Sequence, residues 1–323
     1  MREEEKRRKA MEAAKAVTFA QCAESYIESH KAGWRNAKHA EQWTKTLETY
    51  AEPVIGPLPV QQVDTGLVLK ILEPIWSTKS ETASRIRGRI ENILDWAKAR
   101  GYRSGENPAR WKGHLNQLLP TLSKRHRVVH HTAMPFAEVG AFVAKLRELF
   151  GTAARCLEFT ILTAARTNEA IKAKPEEFDL TGATWTIPAS RMKTKREHRV
   201  PLSPRTVEIV REMLKLDQDY VFPAARRGGP VSNMAMLQLL DRMDVDVTVH
   251  GFRSSFRDWA AERTAFSHEV CEMALAHTIP NSAEAAYRRG DLFEKRAKLM
   301  TTWVDYINTP RTEGTVIPMR NAA

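Results

Sequence analysis

The sequence predicts a mainly α-helical protein with a small antiparallel β-sheet, divided into an N-terminal four-helix domain and a C-terminal α+β domain. Three observations carry that prediction. Apolar residues recur at helical spacing through most of the 323-residue chain, as they do when one stripe of a helix faces a core. Only the stretch from Phe178 to Leu202 breaks into short strand-like runs separated by turn residues. Between Asn107-Pro108 and Met134-Pro135 the periodicity weakens, as expected where one compact unit hands over to another.

Residues 1–16 form a mixed-charge, helix-prone leader with little to bury, and a solvated helix or frayed terminus is expected there. The first amphipathic helix carries Phe19, Cys22, Ala23, Tyr26 and Ile27 on one stripe behind Thr18, a suitable N-cap. A second places Trp43, Leu47 and Tyr50 together and is closed by Pro53. A third runs through Leu67 to Leu72 and is expected to stop before Pro74. The fourth carries Ile86, Ile90, Ile93, Leu94 and Ala97, with Gly101 as its C-terminal stop. These four make a first domain over residues 17–115, and residues 116–133 read as a linker. Within that linker the adjacent His130 and His131 have no further ligand at metal-binding spacing.

The second domain, residues 134–309, opens with a helix carrying Phe136, Val139, Phe142, Val143 and Leu146. A buried helix follows through Cys156 to Leu162. Phe178-Asp179-Leu180 and Thr184-Trp185-Thr186-Ile187, joined across Thr181-Gly182, read as a hairpin, and Arg199-Val200-Pro201-Leu202 as a third strand. Helices then predominate to about Asn308, and residues 310–323 are expected to be a disordered tail.

The net charge is +11 and the isoelectric point about 9.6, which makes nucleic acid the first partner to consider, because Lys and Arg displace condensed counterions from phosphates. The outer face of the fourth helix gathers Arg85, Arg87, Arg89, Lys98 and Arg100, either a solvated face or a phosphate-contacting stripe. Cys22, Cys156 and Cys271 lie far apart and form no zinc pattern, which suits a reducing cytosol. No apolar run is long enough to span a bilayer, and the N-terminus lacks a secretory signal core.

Six residues of the C-terminal half combine the groups that phosphoryl transfer needs: Arg166, Lys193, His250, Arg253, His277 and Tyr287. Arg166 stands in T-A-A-R-T-N-E-A, where an arginine can fork two N–H groups onto one phosphate. Lys193 lies in the turn between the second and third strands, with Lys195 a rival two residues on. His250 and Arg253, in H-G-F-R-S-S-F-R-D-W-A, are spaced to share a helix face, and Arg257 follows one turn later, placed to touch DNA backbone. His277, in L-A-H-T, ends an apolar stripe and by pattern alone fits a core histidine as well as a functional one. Asn281 and Glu284 have the spacing of a capping box for a helix carrying Tyr287, in A-A-Y-R-R-G. A tyrosine is a poor nucleophile near neutral pH unless cations stabilise its phenolate, and the other five side chains could supply that field.

In order and context, this set resembles the catalytic residues of the tyrosine recombinase (phage integrase) family, most closely the integrases of satellite phages and genomic islands. The resemblance spans residues from about 18 to 308 and is stronger in the C-terminal half. The family's first arginine box is similar to T-G-x-R-x-x-E, so Ala164 stands where glycine is usual, a small residue all the same. The resemblance implies a SAM-like core-binding domain over residues 17–115 and a tyrosine recombinase catalytic domain over 134–309, with Glu169 as a structural partner that orients the site. Relatives of this kind usually carry a further N-terminal arm-site-binding domain, and the chain begins at what resembles the connecting helix.

The chemistry so implied is site-specific recombination, integrating or excising a mobile element. The Tyr287 oxygen attacks a scissile phosphodiester and a 5′-hydroxyl departs, leaving a 3′-phosphotyrosine. The arginines stabilise the transition state, Lys193 acts as general acid, and His250 accepts a proton or binds the phosphate. No metal, ATP or other cofactor is implied. The expected partners are a double-stranded attachment site, a homotetramer on two duplexes and DNA-bending accessory proteins, in a bacterial cytoplasm near the nucleoid. The helix from Asp291 to Ile307 is a candidate for docking on a neighbouring protomer or for ordinary internal packing. Two other readings use the same residues: a type IB topoisomerase or hairpin telomere resolvase, and a non-catalytic DNA-binding remnant of an integrase.

Overall fold

A computed structural model describes residues 17–34, 37–120, 132–225, 228–277 and 290–309, arranged in two compact units, residues 1–129 and 130–323. In the first unit, α1 (Phe19–Lys31) starts at Thr18, whose hydroxyl accepts the Gln21 N–H while the Gln21 side chain takes the Thr18 N–H. That reciprocal capping box, with Phe19 and Cys22 fully buried, fixes the helix start. α2 (Ala37–Tyr50) adds Trp43 and Leu47 to the core. Pro53 sits in the first turn of a short α3 (Glu52–Ile55), where its missing N–H leaves no bond unmade.

α4 (Thr65–Trp76) is capped by Asp64 and does not stop before Pro74, as the sequence suggested, but runs two residues past it. Ile75 and Trp76 are both buried, and the Trp76 indole donates to the Pro120 carbonyl at 2.9 Å. Burying two large apolar side chains contributes roughly 3–6 kcal/mol, enough to offset the ~3 kcal/mol that an internal proline costs. α5 (Ser80–Ala99) buries the predicted Ile86, Ile90, Ile93, Leu94 and Ala97, and Gly101, at φ +74°, turns the chain away.

The arginine stripe expected on α5 is split by the structure. Arg85, Lys98 and Arg100 are exposed. Arg89 is buried, donates to the Gln42 carbonyl at 2.7 Å and lies 5.2 Å from the Trp43 ring centroid. Arg87 is half-buried against Glu91 (2.5 Å) and the Ala109 carbonyl (2.9 Å). The reason is helical geometry: position 89 falls on the stripe of Ile86, Ile90 and Ile93, so its long side chain is drawn inward.

The predicted linker is shortened at both ends. Leu115 and Leu119 pack into the first core, and the Pro120 carbonyl is taken by Trp76. The Thr132 carbonyl accepts the Thr248 N–H at 3.0 Å and the Met134 carbonyl accepts the Ser255 hydroxyl, both within the second unit. His130 and His131, the leader of residues 1–16 and the tail of residues 310–323 lie outside the described residues.

The second unit is built around α7 (Thr152–Thr163), in which every residue from Ala154 to Thr163 is buried. α6 (Phe136–Arg147) packs beside it, and the short α8 (Thr167–Ile171) follows. Strands β1 (Phe178–Asp179), β2 (Thr184–Ile187) and β3 (His198–Pro201) form an antiparallel sheet in sequence order, with Trp185 opposite Val200 and Ile187 opposite His198. Then come α9 (Pro204–Leu214), α10 (Ala235–Arg242), α11 (Gly251–Arg263), α12 (His268–Ala274) and α13 (Phe293–Asn308). α13 is an internal helix, not a free docking face. Leu299, Met300, Trp303, Val304 and Ile307 are buried in this unit's core, and the Trp303 indole donates to the Ile161 carbonyl. At the heart of the unit Glu158 is fully buried and takes Arg147 at 2.6 Å and Arg205 at 2.9 Å. Burial raises the Glu158 carboxyl, but those two guanidiniums more than reverse it and hold the carboxyl below the ordinary range.

Because Arg89 is an internal brace, Arg89→Ala is expected to destabilise the first unit by about 2 kcal/mol, the loss of a charged hydrogen bond and of packing. Arg85→Ala on the exposed face should stay within about 0.5 kcal/mol. Urea denaturation followed by tryptophan fluorescence separates the two, and equal effects would contradict the assignment.

Candidate active site

Arg166 is presented by the sharp junction between α7 and α8. The helix ends at Thr163, Ala164 takes the left-handed conformation (φ +50°, ψ +28°), and Arg166 returns to extended backbone at the head of α8. Glu169, buried one turn into α8, accepts the Arg166 N–H with one oxygen (2.9 Å) and its guanidinium with the other (2.7 Å). The second guanidinium nitrogen donates to the carbonyls of Leu275 (3.2 Å) and Ala276 (3.0 Å). Ala164 is therefore the position where the glycine of the resembling motif would sit without steric cost.

Arg253 lies in the first turn of α11 and is 5% exposed. It donates to the Ala164 carbonyl and, at 2.7 Å, to the same Leu275 carbonyl that Arg166 uses. Burial and then the nearby Arg166 charge lower its pKa to about 10, still protonated near neutral pH. Gly251 is required beside it, because a Cβ there would collide with the Thr132 carbonyl and Ala133. His250 is the N-cap residue of the same helix and is exposed.

His277 follows α12 through Ala276, itself left-handed at φ +49°. With its side chain 43% exposed it is not a core histidine. Nε2 lies 3.3 Å from an Arg253 nitrogen and Nδ1 lies 2.7 Å from Glu272. Glu272 also accepts Arg257 at 2.6 Å. Burial raises the Glu272 carboxyl, while the bonds from His277 and Arg257 more than offset that and leave it below the ordinary range. Arg257, expected from the sequence to touch DNA backbone, is thus an internal partner of the residue that holds His277. The i+15 contact that claims it leaves no trace in local spacing.

Lys193 is exposed in the β2–β3 connection. The residues before it are anchored: Met192 is buried, and Arg191 pairs with Glu177 and donates to the Glu169 carbonyl at 2.5 Å. Lys195, at φ +55°, lies two residues beyond that anchor and is also exposed. His198, which sequence reasoning missed, begins β3 among charged neighbours. Burial, then Arg296, with Arg166 and Arg253 also contributing, lowers its pKa to about 4, against a partial opposing effect of Glu169. Its only sequence signal was its place in E-H-R-V-P-L, five residues after Lys193.

A second arginine cluster stands where the described chain resumes. Asp291 accepts Arg199 of β3 (2.8 and 3.0 Å) and the buried Arg296 of α13 (2.8 Å). Arg296 also donates to the Arg199 carbonyl at 2.5 Å and the Asp291 carbonyl at 2.7 Å. Tyr287, with the expected Asn281–Glu284 cap, lies outside the described residues. So Arg166, Arg253, His277 and Glu169 are drawn together through shared partners. His250 heads the helix that carries Arg253, and Lys193 stands on the hairpin. Among the described residues no group of three or more His, Cys, Asp or Glu could hold a metal ion, and no helix is long and apolar enough to cross a membrane.

Comparison with known proteins gives concordant matches for both units. A family model described as "Phage integrase central domain" matches residues 19–114, and one described as "Phage integrase family" matches residues 134–292. Prophage integrase IntZ of Escherichia coli is 30% identical over 316 residues, covering 95% of this chain and 75% of that protein. The integrase of Enterobacteria phage P4 is 27% identical over 321 residues, covering 92% and 71%. Among solved structures, a lambda integrase (75–356) dimer bound to a COC′ core site has a TM-score of 0.64 at 15% identity, covering 81% of this chain and 96% of that one. A lambda integrase tetramer bound to a Holliday junction has a TM-score of 0.65 at 14% identity, covering 83% and 80%.

Two consequences of this geometry are measurable. Ala164→Gly should raise stability by up to about 1 kcal/mol by relieving the left-handed alanine, read as a higher melting temperature; a lower one would contradict the strain. His198, depressed from 6.5 to about 4, leaves the native state short of a proton that the unfolded chain binds. Its contribution to stability is therefore complete above pH ~6.5 and lost as pH falls toward ~4, by roughly 3 kcal/mol at most. His198→Asn should flatten the stability–pH curve in that window, and an unchanged curve would refute the effect.

Proposed function

The chain belongs to the phage integrase family and is a tyrosine-type site-specific recombinase, an enzyme that breaks and rejoins DNA through a 3′-phosphotyrosine; from that premise we propose that Arg166, Arg253 and His277 receive the scissile phosphate and Tyr287 attacks it. The observation that carries this reading is the Leu275 carbonyl shared by two guanidiniums, one of them almost wholly buried. Two like charges held this close in a partly dry site favour an anion between them, and a phosphodiester in transit toward a trigonal-bipyramidal transition state carries that charge.

The step is in-line. The Tyr287 oxygen bonds to phosphorus as the bond to the 5′-oxygen breaks, and Lys193 donates a proton to the departing oxygen. The anchored backbone before Lys193 favours it over Lys195 as the acid. His250, exposed at the head of α11, accepts the tyrosine proton or binds a non-bridging oxygen. The 5′-hydroxyl of a partner strand reverses the step and seals a recombinant, with the energy of the cleaved bond conserved in the phosphotyrosine. The first unit acts as the core-binding domain, its DNA-facing cations being the exposed Arg85, Lys98 and Arg100. Arg87, Arg89 and Arg257 serve the protein's own packing. The working assembly is a homotetramer on two attachment-site duplexes, with DNA-bending proteins as accessory factors, in the bacterial cytoplasm at the nucleoid. The fold shared with DNA-bound lambda integrase supports this arrangement.

A nicked suicide duplex carrying the attachment core tests the reading on a denaturing gel. Wild-type protein should yield a covalent DNA–protein band that Tyr287→Phe abolishes while still binding. Arg166→Lys and Arg253→Lys should each slow its formation by about 10²–10³-fold, the usual loss when one transition-state donor is removed. Binding should fall with salt at a log–log slope near −0.9 per phosphate neutralised. Binding without an adduct from the wild type would favour the non-catalytic reading.

A further inference from the structure

Behind the three phosphate-facing residues stands a carboxylate that the chemistry above does not use. Glu272 divides its two oxygens between two donors: Oε1 accepts the Arg257 Nε–H at 2.6 Å, and Oε2 lies 2.7 Å from His277 Nδ1. With each oxygen committed, the carboxylate cannot rotate. The far nitrogen of the ring, Nε2, lies 3.3 Å from Arg253. A guanidinium can only donate and a carboxylate only accept. Nδ1 must therefore carry the hydrogen, and Nε2 must offer its lone pair to Arg253. The alternative tautomer would set an N–H against an N–H on one side and a lone pair against a carboxylate on the other.

We propose that Glu272 is a positioning residue for DNA cleavage, which fixes His277 in its Nδ1–H tautomer and through it holds the Arg253 guanidinium, with Arg257 locking the carboxylate in place. The proposal rests on the reading that His277 and Arg253 face the scissile phosphate. It explains a pair that otherwise has no purpose in the site, the Arg257–Glu272 bridge. It also gives His277 a defined use. The Nε2 lone pair, turned to Arg253, steadies that guanidinium for the phosphate, while the Glu272 carboxylate orients the ring from behind. A carboxylate placed behind an imidazole acts in this way in hydrolases and metal sites.

Glu272→Gln tests this sharply, because the amide has one carbonyl for two donors. Arg257 takes that carbonyl, the amide N–H then faces Nδ1, and the ring is forced to carry its hydrogen on Nε2 against Arg253. Long-range proton–nitrogen spectra of histidine-labelled protein, with His277→Asn to assign the signal, report the tautomer directly. The wild type should show His277 as Nδ1–H and Glu272→Gln as Nε2–H. Adduct formation on the suicide duplex should fall about 10–100-fold in the variant, as for other orienting partners, with duplex binding within about twofold. Adding Arg257→Met frees the amide carbonyl for Nδ1–H, and should restore both the tautomer and most of the lost rate. A wild-type His277 already in the Nε2–H form overturns the proposal without any variant, and so does a Glu272→Gln protein that cleaves at the wild-type rate. Absence of a Tyr287-dependent adduct from the wild type would instead overturn the assignment of the reaction to these residues, leaving the spectra to decide the role of Glu272 alone.

Discussion

Two guanidiniums on one carbonyl are the constraint around which the second unit is organised. Arg166 and Arg253 both reach Leu275 O, and the repulsion between them is only weakly screened because Arg253 is buried. The domain answers with acceptors from three segments: the Ala164 carbonyl at the end of α7, the Leu275 and Ala276 carbonyls after α12, and the Glu169 carboxylate in α8. Each backbone acceptor lies at a helix end, where carbonyls lack an intrahelical partner. Left-handed Ala164 and Ala276 redirect the chain at both of these places. A non-glycine residue in that conformation costs about 1–2 kcal/mol, a modest strain set against an unpaired buried guanidinium, which would cost several.

How much of this could be read in the sequence depended on the range of the interaction. The helices were legible because their determinants are local: Phe19 and Cys22 behind Thr18, or Ile86, Ile90 and Ile93 on one stripe. The same periodicity, taken one step further, would have placed Arg89 inside, since position 89 lies within that stripe. At that position the charge points outward and the helical geometry inward, and the geometry prevails. Pro74 misled in the opposite way, because a local rule gave way to the burial of Ile75 and Trp76. The arginines and histidines of the site stood out through their motifs. Their supporting partners did not: Arg166 meets carbonyls more than a hundred residues away, and Arg296 holds a carbonyl at a separation of 97. Glu272 sits only five residues before His277, yet nothing in that spacing tells an orienting carboxylate from a solvated one.

The chain on either side of residues 278–289 is fixed by the same kind of bond. Before it, the carbonyls of Leu275 and Ala276 are taken by Arg166 and Arg253, and His277 is gripped from both sides of its ring. After it, Asp291 is pinned between Arg199 of β3 and Arg296 of α13. Burial raises the Asp291 carboxyl, and those guanidiniums more than reverse this, so it remains an acceptor well into mild acid. β3 begins at His198 and follows the connection that carries Lys193, so this clamp ties Asp291 and the start of α13 to the strand that follows the proposed general acid.

These bonds also change what the net charge of +11 means. A basic chain invites the inference that its arginines face nucleic acid, and many here do not. Arg147, Arg155 and Arg205 surround the buried Glu158, Arg191 holds Glu177, Arg257 holds Glu272, and Arg296 holds Asp291. A planar fork of donors suits a buried carboxylate or a backbone carbonyl as well as it suits a phosphate. Within this protein, then, the identity of the cation is a poor guide to its partner. Burial is the better one: an arginine that the fold has already saturated with acceptors has little left to offer DNA. Arg166 and Arg253 are the informative exceptions: they share the Leu275 carbonyl, and Glu169 forms an ion pair with Arg166 alone, so two positive charges stand together with one paired carboxylate between them.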